Sequence, residues 1–407
     1  MDIGSIVTFH YSADAESLKQ WRLYDREGVA NMKRFTLWLG GLSLGAGFLV
    51  AQPAEPAGNS NAPVWSATAA ARYLDARQTW WQGWDRAKKD HDTTCISCHT
   101  VLPYALGRPA LRHALGETGK SPAEQTMLAS VEKRVRLWDE VETFYKDAIS
   151  GAGKTAEARA TEAIFNALIL ARYDSAAGGG MSETTRKAFG AAWALQNQTG
   201  DKAGSWTWIN FHNGPWESDE SQYWGATLAA YAVGLTPEDY RKQAEVQTGM
   251  EKLRNYLKRE YAAQPLINKV AALWATARVG GVLTEKDKAE LVNAVAAKQQ
   301  KDGGLSLTDL GSWKRQDGTA LETGADGYAT GLTALAFRES GAAGSSFPLA
   351  RALGWLAANQ VATDQGTEGG LWPGWSINKQ RDPKSDIGKF MNDAATAYAV
   401  LALEKQK

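Results

Sequence analysis

Asp326-Gly327-Tyr328-Ala329-Thr330-Gly331-Leu332 is the stretch on which the reading of this chain turns. It is an acidic residue followed by a small-residue, apolar helical run, and it recurs. Copies stand at Glu162-Ala163-Ile164-Phe165-Asn166-Ala167-Leu168, at Asp219-Glu220-Ser221-Gln222-Tyr223-Trp224-Gly225-Ala226-Thr227 and at Asp393-Ala394-Ala395-Thr396-Ala397-Tyr398-Ala399. A weaker copy runs from Asn268 through Leu273-Trp274-Ala275-Thr276. The starts are roughly 50 to 65 residues apart, enough for two helices and their loops. One further period back from Glu162 lands near residue 100, where His99-Thr100-Val101-Leu102-Pro103-Tyr104-Ala105-Leu106 begins. The remainder is Ala- and Leu-rich with Gly-rich breaks and no alternating strands. An all-α chain of about six helical hairpins is therefore predicted.

A second phrase precedes several copies. Trp355-Leu356 is followed by Gln360 and Gly369-Gly370-Leu371-Trp372, Trp193 by Gln198 and Gly204-Ser205-Trp206, and Gln300 by Asp302-Gly303-Gly304-Leu305. This resembles the Gln-Trp repeat of the terpenoid cyclases, such as squalene-hopene cyclase, and of the wider α/α-toroid group that includes protein prenyltransferase β-subunits. The resemblance covers about residues 155–405. It implies an α/α toroid in which Gln caps helix ends and stacks on Trp, so that most of the 17 Trp tie neighbouring hairpins together. It also implies that the inner helices begin at one rim of a central cavity, with Asp219, Asp326 and Asp393 at that rim and Glu162 beside them. An acid for cyclase-like or isoprenoid chemistry would be Asp326, Asp219 or Asp393. The Asp-x-Asp-Asp-Thr-Ala motif of the squalene-hopene cyclases is absent, however, and the same acids suit N-caps and first turns. The toroid hosts many functions and assigns none by itself.

Chemistry concentrates in Cys95-Ile96-Ser97-Cys98-His99, which holds both cysteines of the chain. Two thiols three residues apart with His after the second is the attachment pattern of c-type haem. Two thioethers fix the porphyrin edge, and the adjacent imidazole reaches the iron as proximal ligand. One covalent haem c on Cys95 and Cys98, with His99 axial, is expected. Other readings compete: a thioredoxin-like redox pair, which would leave His99 unexplained; half of a zinc site, which lacks a second Cys pair; and a structural disulfide in an oxidising compartment. Zinc-bearing toroid relatives also draw a further Cys from a distant hairpin, which this chain lacks.

The motif falls in the first hairpin, at the position equivalent to the acidic starts, so the haem is expected at or near the cavity mouth. Electron transfer or haem-based redox chemistry follows, with a redox partner. A haem-free cyclase-like or isoprenoid-binding enzyme with a structural disulfide is the alternative. Among Met127, Met181, Met250, Met391, His91, His113 and His212, the candidates for the sixth iron position favoured by this geometry are Met391 and His212. Five-coordinate iron would point instead to ligand binding or redox catalysis. Two aromatic loops, 206–216 and 372–379, precede inner-helix starts and offer an apolar small-molecule site, a haem-packing face or simple loop closure.

Met32-Lys33-Arg34 opens a basic segment, Phe35 to Val50 carries no charge, and Ala51-Gln52-Pro53-Ala54 follows. That is the build of a secretory signal peptide over 32–51. It is shorter than the ~18 apolar residues of a spanning helix, and an uncleaved N-terminal anchor is the rival reading. Translation is expected to begin at Met32, making 1–31 a start-site artefact, and 52–63 reads as a flexible linker before a single domain over 64–407. The mature chain is expected to be exported, periplasmic or otherwise extracytoplasmic, without a membrane span. The full chain has 45 Lys+Arg and 45 Asp+Glu. The leader removes Lys19, Arg22, Arg26, Lys33 and Arg34 against Asp2, Asp14, Glu16, Asp25 and Glu27, so the rest stays neutral. No nucleic-acid partner is indicated.

Overall fold

The computed structural model describes residues 65–178, 180–342, 349–362 and 369–404. By its contacts the chain divides into Met1–Ala62 and Pro63–Lys407. The expected start-site segment, signal peptide and linker lie outside the described residues. Helices dominate the rest: α1 (Ala67–Gly83), α2 (Val101–Ala114), α3 (Pro122–Arg136), α4 (Asp147–Ser150), α5 (Lys154–Ala176), α6 (Glu183–Ala194) and α7 (Ser221–Gly234). They continue with α8 (Glu238–Arg241), α9 (Ala244–Glu260), α10 (Leu266–Val279), α11 (Glu285–Ala296), α12 (Gly327–Ser340), α13 (Leu349–Ala358) and α14 (Phe390–Leu403). One small departure from the all-helical expectation precedes the Cys motif. Strands β1 (Lys88–Lys89) and β2 (Thr93–Thr94) pair antiparallel around a turn in which His91 and Asp92 take positive φ. No helix among the described residues is long and apolar enough to cross a membrane.

The helices fall into two layers by sequence character. α12 buries every residue from Gly327 to Phe337, and α14 every residue from Asp393 to Ala402. Helices apolar on all sides have to be surrounded by others. α9, by contrast, buries Val246, Gly249, Met250, Leu253, Tyr256 and Leu257, a single stripe at helical spacing, so its other face meets solvent. Among the enclosed helices, α2 packs on α5, α5 on α7, α7 on α10, α10 on α12, α12 on α14, and α14 again on α2. α6, α9, α11 and α13 each pack against the enclosed helix that precedes them, and α1 packs against α14 and α2.

The Gln-Gly-Trp phrase supplies the ties between hairpins, with a shift in register. Gln196, rather than Gln198, donates to the carbonyls of Gly204 and Gly249. Gln299, rather than Gln300, donates to Gly303. Gln360 takes its expected place and donates to Gly370 and Ser66. Gly204, Gly303 and Gly370 have φ of 96°, 99° and 90°, a backbone that favours glycine. A Cβ at each would strike the carbonyl oxygen of Lys252, Arg351 or Ala69, all on the outer helix that follows, and for Gly370 that helix is α1. Trp206 and Trp372 complete the ties by donating their indole N–H to Ala192 and Leu356, at the ends of α6 and α13.

Gly331 marks the closest approach of α12 and α14: a Cβ there would lie 2.7 Å from the Ala399 nitrogen and 2.8 Å from the Tyr398 carbonyl carbon. Backbone cannot yield as a side chain does. Gly331→Ala is expected to destabilise by about 2 kcal/mol in denaturant titration, since overpacking outweighs the ~1 kcal/mol that Ala gains over Gly in a helix. A stabilised variant would mean that the two helices do not meet there.

Candidate functional site

The Cys motif is held from both sides before it enters α2. The Cys95 N–H donates to the Ala87 carbonyl, and the Trp81 indole on α1 donates to the Cys95 carbonyl at 2.8 Å. The Ser97 hydroxyl accepts from the amides of Thr100 and Val101 and so caps the first turn of α2. Cys95 and Cys98 are both buried and both free thiols. Burial pushes the Cys95 thiol up to about 12 and holds Cys98 well above its ordinary value, so both are protonated at neutral pH. The Cys98 thiol donates to Glu217 Oε1 at 3.6 Å. Burial in turn pushes Glu217 up to about 7.

His99 sits in an aromatic setting. The Phe390 ring stacks on its face at 3.7 Å and 19°, and Trp81 meets it edge-on at 5.2 Å. Trp84 packs against Trp81 and stacks on Trp80, widening the apolar wall. Burial, reinforced by the positive charges of Arg77 and Arg381, pushes the imidazole down to about 3. It is neutral at physiological pH, the form that ligates metals. Its Nδ1 lies 2.9 Å from the Thr100 hydroxyl. Among the described residues Nε2 has no hydrogen-bond partner, and a ring stacked on the face does not lie along the in-plane direction of that lone pair.

Asp393, in the first turn of α14, is not a free acid. Its oxygens accept from Tyr73 at 2.8 Å, from Arg77 Nε at 2.8 Å and from Thr100 at 2.6 Å. Burial raises its pKa against the pull of Arg77, Thr100 and Tyr73. Asp326 is the N-cap of α12: one oxygen accepts from the Ala329 amide at 2.8 Å, the other from Leu307 at 2.6 Å. Burial pushes it up to about 6, opposed by those amides. Asp219 precedes α7, is exposed, and accepts from Asn210. Glu162 corrects the repeat reading. It lies inside α5, not at its start, and is buried in an ion pair with Arg134 at 2.5 Å. The helix begins earlier, after Gly153, where φ is 85°. The acids thus serve as caps and buried ion-pair partners, with Asp219 at the surface, and do not assemble as one acidic cluster.

The two sixth-ligand candidates differ in setting. Met391 is buried one residue after Phe390, the ring that stacks on His99. His212 is exposed, has φ of 56°, and its Nδ1 lies 3.5 Å from Asp219. The aromatic loops pack rather than open: Trp208 meets Phe165 and Trp224, and the Trp216 indole donates to Tyr328. A cavity of about 260 Å³ lies elsewhere, at the C-terminal ends of α5 and α7, lined by Asp174, Met181, Thr185 and Thr236 among others; of the candidate residues it takes in Met181 alone, and neither Met391 nor His212 lines it.

Among the described residues no group of three or more His, Cys, Asp or Glu is arranged to hold a metal ion. A haem makes no such demand, because its porphyrin supplies four of the iron's ligands. Two free thiols, one neutral imidazole with an unengaged Nε2, and apolar walls from Trp81, Trp84 and Phe390 match what a covalently held haem asks of a chain. No protein-family model matches this sequence, and no curated protein matches it either.

Proposed function

We propose that this chain is an exported c-type haem protein built on an α/α toroid of six hairpins. The haem reading is carried by one observation: the five-residue motif presents two free, buried thiols and an imidazole whose Nδ1 is engaged while Nε2 is not. The toroid reading rests on the cyclic packing order of α2, α5, α7, α10, α12 and α14, and on Gln360 and Gly370, which tie the last hairpin to the first. Export supports attachment, since thioethers of this kind are made outside the cytoplasmic membrane.

Each residue then has a definite task. Cys95 and Cys98 would hold the haem as thioethers, each thiol supplying both the sulfur and the hydrogen that addition across a vinyl group would require. His99 offers Nε2 to the iron. Phe390 and Trp81 fix the plane of the imidazole and cover one face and one edge of its surroundings. When bound, the haem supplies one-electron exchange, and its potential is set by ligation, hydrogen bonding and burial. Acid-initiated cyclisation draws little support, since Asp326 and Asp393 commit their oxygens to the fold.

Expressed with a haem-maturation system in an exporting host, the protein is expected to show a Soret band that stays with the polypeptide after denaturation. Cys95→Ser/Cys98→Ser should lose it entirely. A wild-type chain that remains colourless in a host maturing a control cytochrome would overturn the reading.

A further inference from the structure

Thr100 has one hydroxyl hydrogen and two neighbours that compete for it. Asp393 Oδ2 stands 2.6 Å away and belongs to a carboxylate paired with Arg77, so it can only accept. His99 Nδ1 stands 2.9 Å away on the other side. With the hydroxyl hydrogen given to Asp393, the remaining Thr100 lone pair can only accept, and Nδ1 must carry the proton. The neutral imidazole is thereby fixed as its Nδ1–H tautomer, with the lone pair on Nε2.

We infer that Asp393 and Thr100 are a positioning pair that sets the tautomer, orientation and basicity of His99, with Thr100 passing the carboxylate's influence to the imidazole. The inference rests on the haem reading for its purpose, though the hydrogen-bond chain stands without it. Metal-bound histidines are held by such outer partners, and those partners tune the metal. Here the carboxylate comes from the last enclosed helix, 293 residues away in sequence, and reaches the motif through a hydroxyl that immediately follows it. Arg77 Nε and the Tyr73 hydroxyl hold the other carboxylate oxygen, so Asp393 cannot swing away from Thr100. The arrangement joins α1, the start of α2 and the first turn of α14 at one point.

Thr100→Val keeps the shape and removes the relay, while Thr100→Ser keeps the hydroxyl. In the haem-free full-length chain with ¹⁵N-labelled histidine, assigned against His99→Gln, His99 should show a protonated Nδ1 and an unprotonated Nε2. Thr100→Ser should retain that signature, and Thr100→Val should lose it in favour of the Nε2–H form. In the haem-loaded protein, a weaker donor favours the ferrous state. Thr100→Val should therefore shift the oxidised-to-reduced ratio at fixed poise by about tenfold toward reduced, equal to about 59 mV upward for one electron. Thr100→Ser should stay near wild type. An Nε2–H tautomer in the wild type, or covalent haem with an unchanged midpoint in Thr100→Val, would overturn the relay while leaving the haem reading standing. A wild-type chain with the Nδ1–H tautomer that never acquires haem would retain the hydrogen-bond chain and end its proposed purpose.

Discussion

Arg77→Met is expected to destabilise the folded chain by about 3–5 kcal/mol, measured by denaturant titration, because it strands a buried carboxylate. Arg77 is 5% exposed and Asp393 1%. The guanidinium gives Nε to Asp393 at 2.8 Å, NH1 to the Asp386 carboxylate and NH2 to the Asp386 carbonyl, and it lies over the Trp80 ring at 4.4 Å. Removing it leaves Asp393 with only the Tyr73 and Thr100 hydroxyls. Those hydrogen bonds soften the loss but cannot replace a cation in a low-dielectric site. The charge itself is the cause, so Asp393→Asn should relieve much of the damage in the double variant. A double-mutant cycle should return a coupling of at least about 1 kcal/mol. Effects that add to within about 0.5 kcal/mol would show that the pair is not coupled, and that the cost of Arg77→Met is lost packing on Trp80.

The ion pair also shows what the sequence made legible and what it did not. The repeat could be read because small, apolar runs have one purpose: Tyr328 to Phe337 and Ala394 to Ala402 are buried throughout, and no exposed helix would carry such composition. Its acidic markers were less informative. Asp326 does cap its helix, but Glu162 sits eight residues into α5 because the phrase records composition and not the chain's entry angle. The Gln ties slipped by one or two residues at Gln196 and Gln299, since loop length between helix end and glycine varies from hairpin to hairpin. The Cys-x-x-Cys-His stretch could be picked out because its five residues are contiguous. No pattern in the sequence gives Thr100, Phe390 or Glu217 a role, although Thr100 follows the motif directly. Their roles depend on partners brought together by folding: Asp393 for Thr100, His99 for Phe390, and Cys98, 119 residues away, for Glu217.

Glu217 carries the second large expectation, a stability that depends on pH through one group. Burial pushes its carboxyl up to about 7 from an ordinary value of 4.5. Between those values the folded chain holds a proton that the unfolded chain has released, so stability falls as pH rises through the window from 4.5 to 7 and levels off above it. At 1.36 kcal/mol per unit, the full loss is at most about 3 kcal/mol. Glu217→Gln keeps an oxygen to accept from the Cys98 thiol and has nothing to ionise, so it should not share the decline. The stability difference between Glu217→Gln and wild type, both haem-free, is expected to grow in favour of the variant from pH 5 to pH 8. Taking the difference cancels every titration the two proteins share. A difference that stays constant within about 0.5 kcal/mol would mean that Glu217 is hydrated in the folded chain and titrates near its ordinary value. The decline is the cost of ionising a carboxyl beside the Cys98 sulfur where, among the described residues, no cation offsets it: burial raises the pKa, and the hydrogen bond from Cys98 lowers it too little.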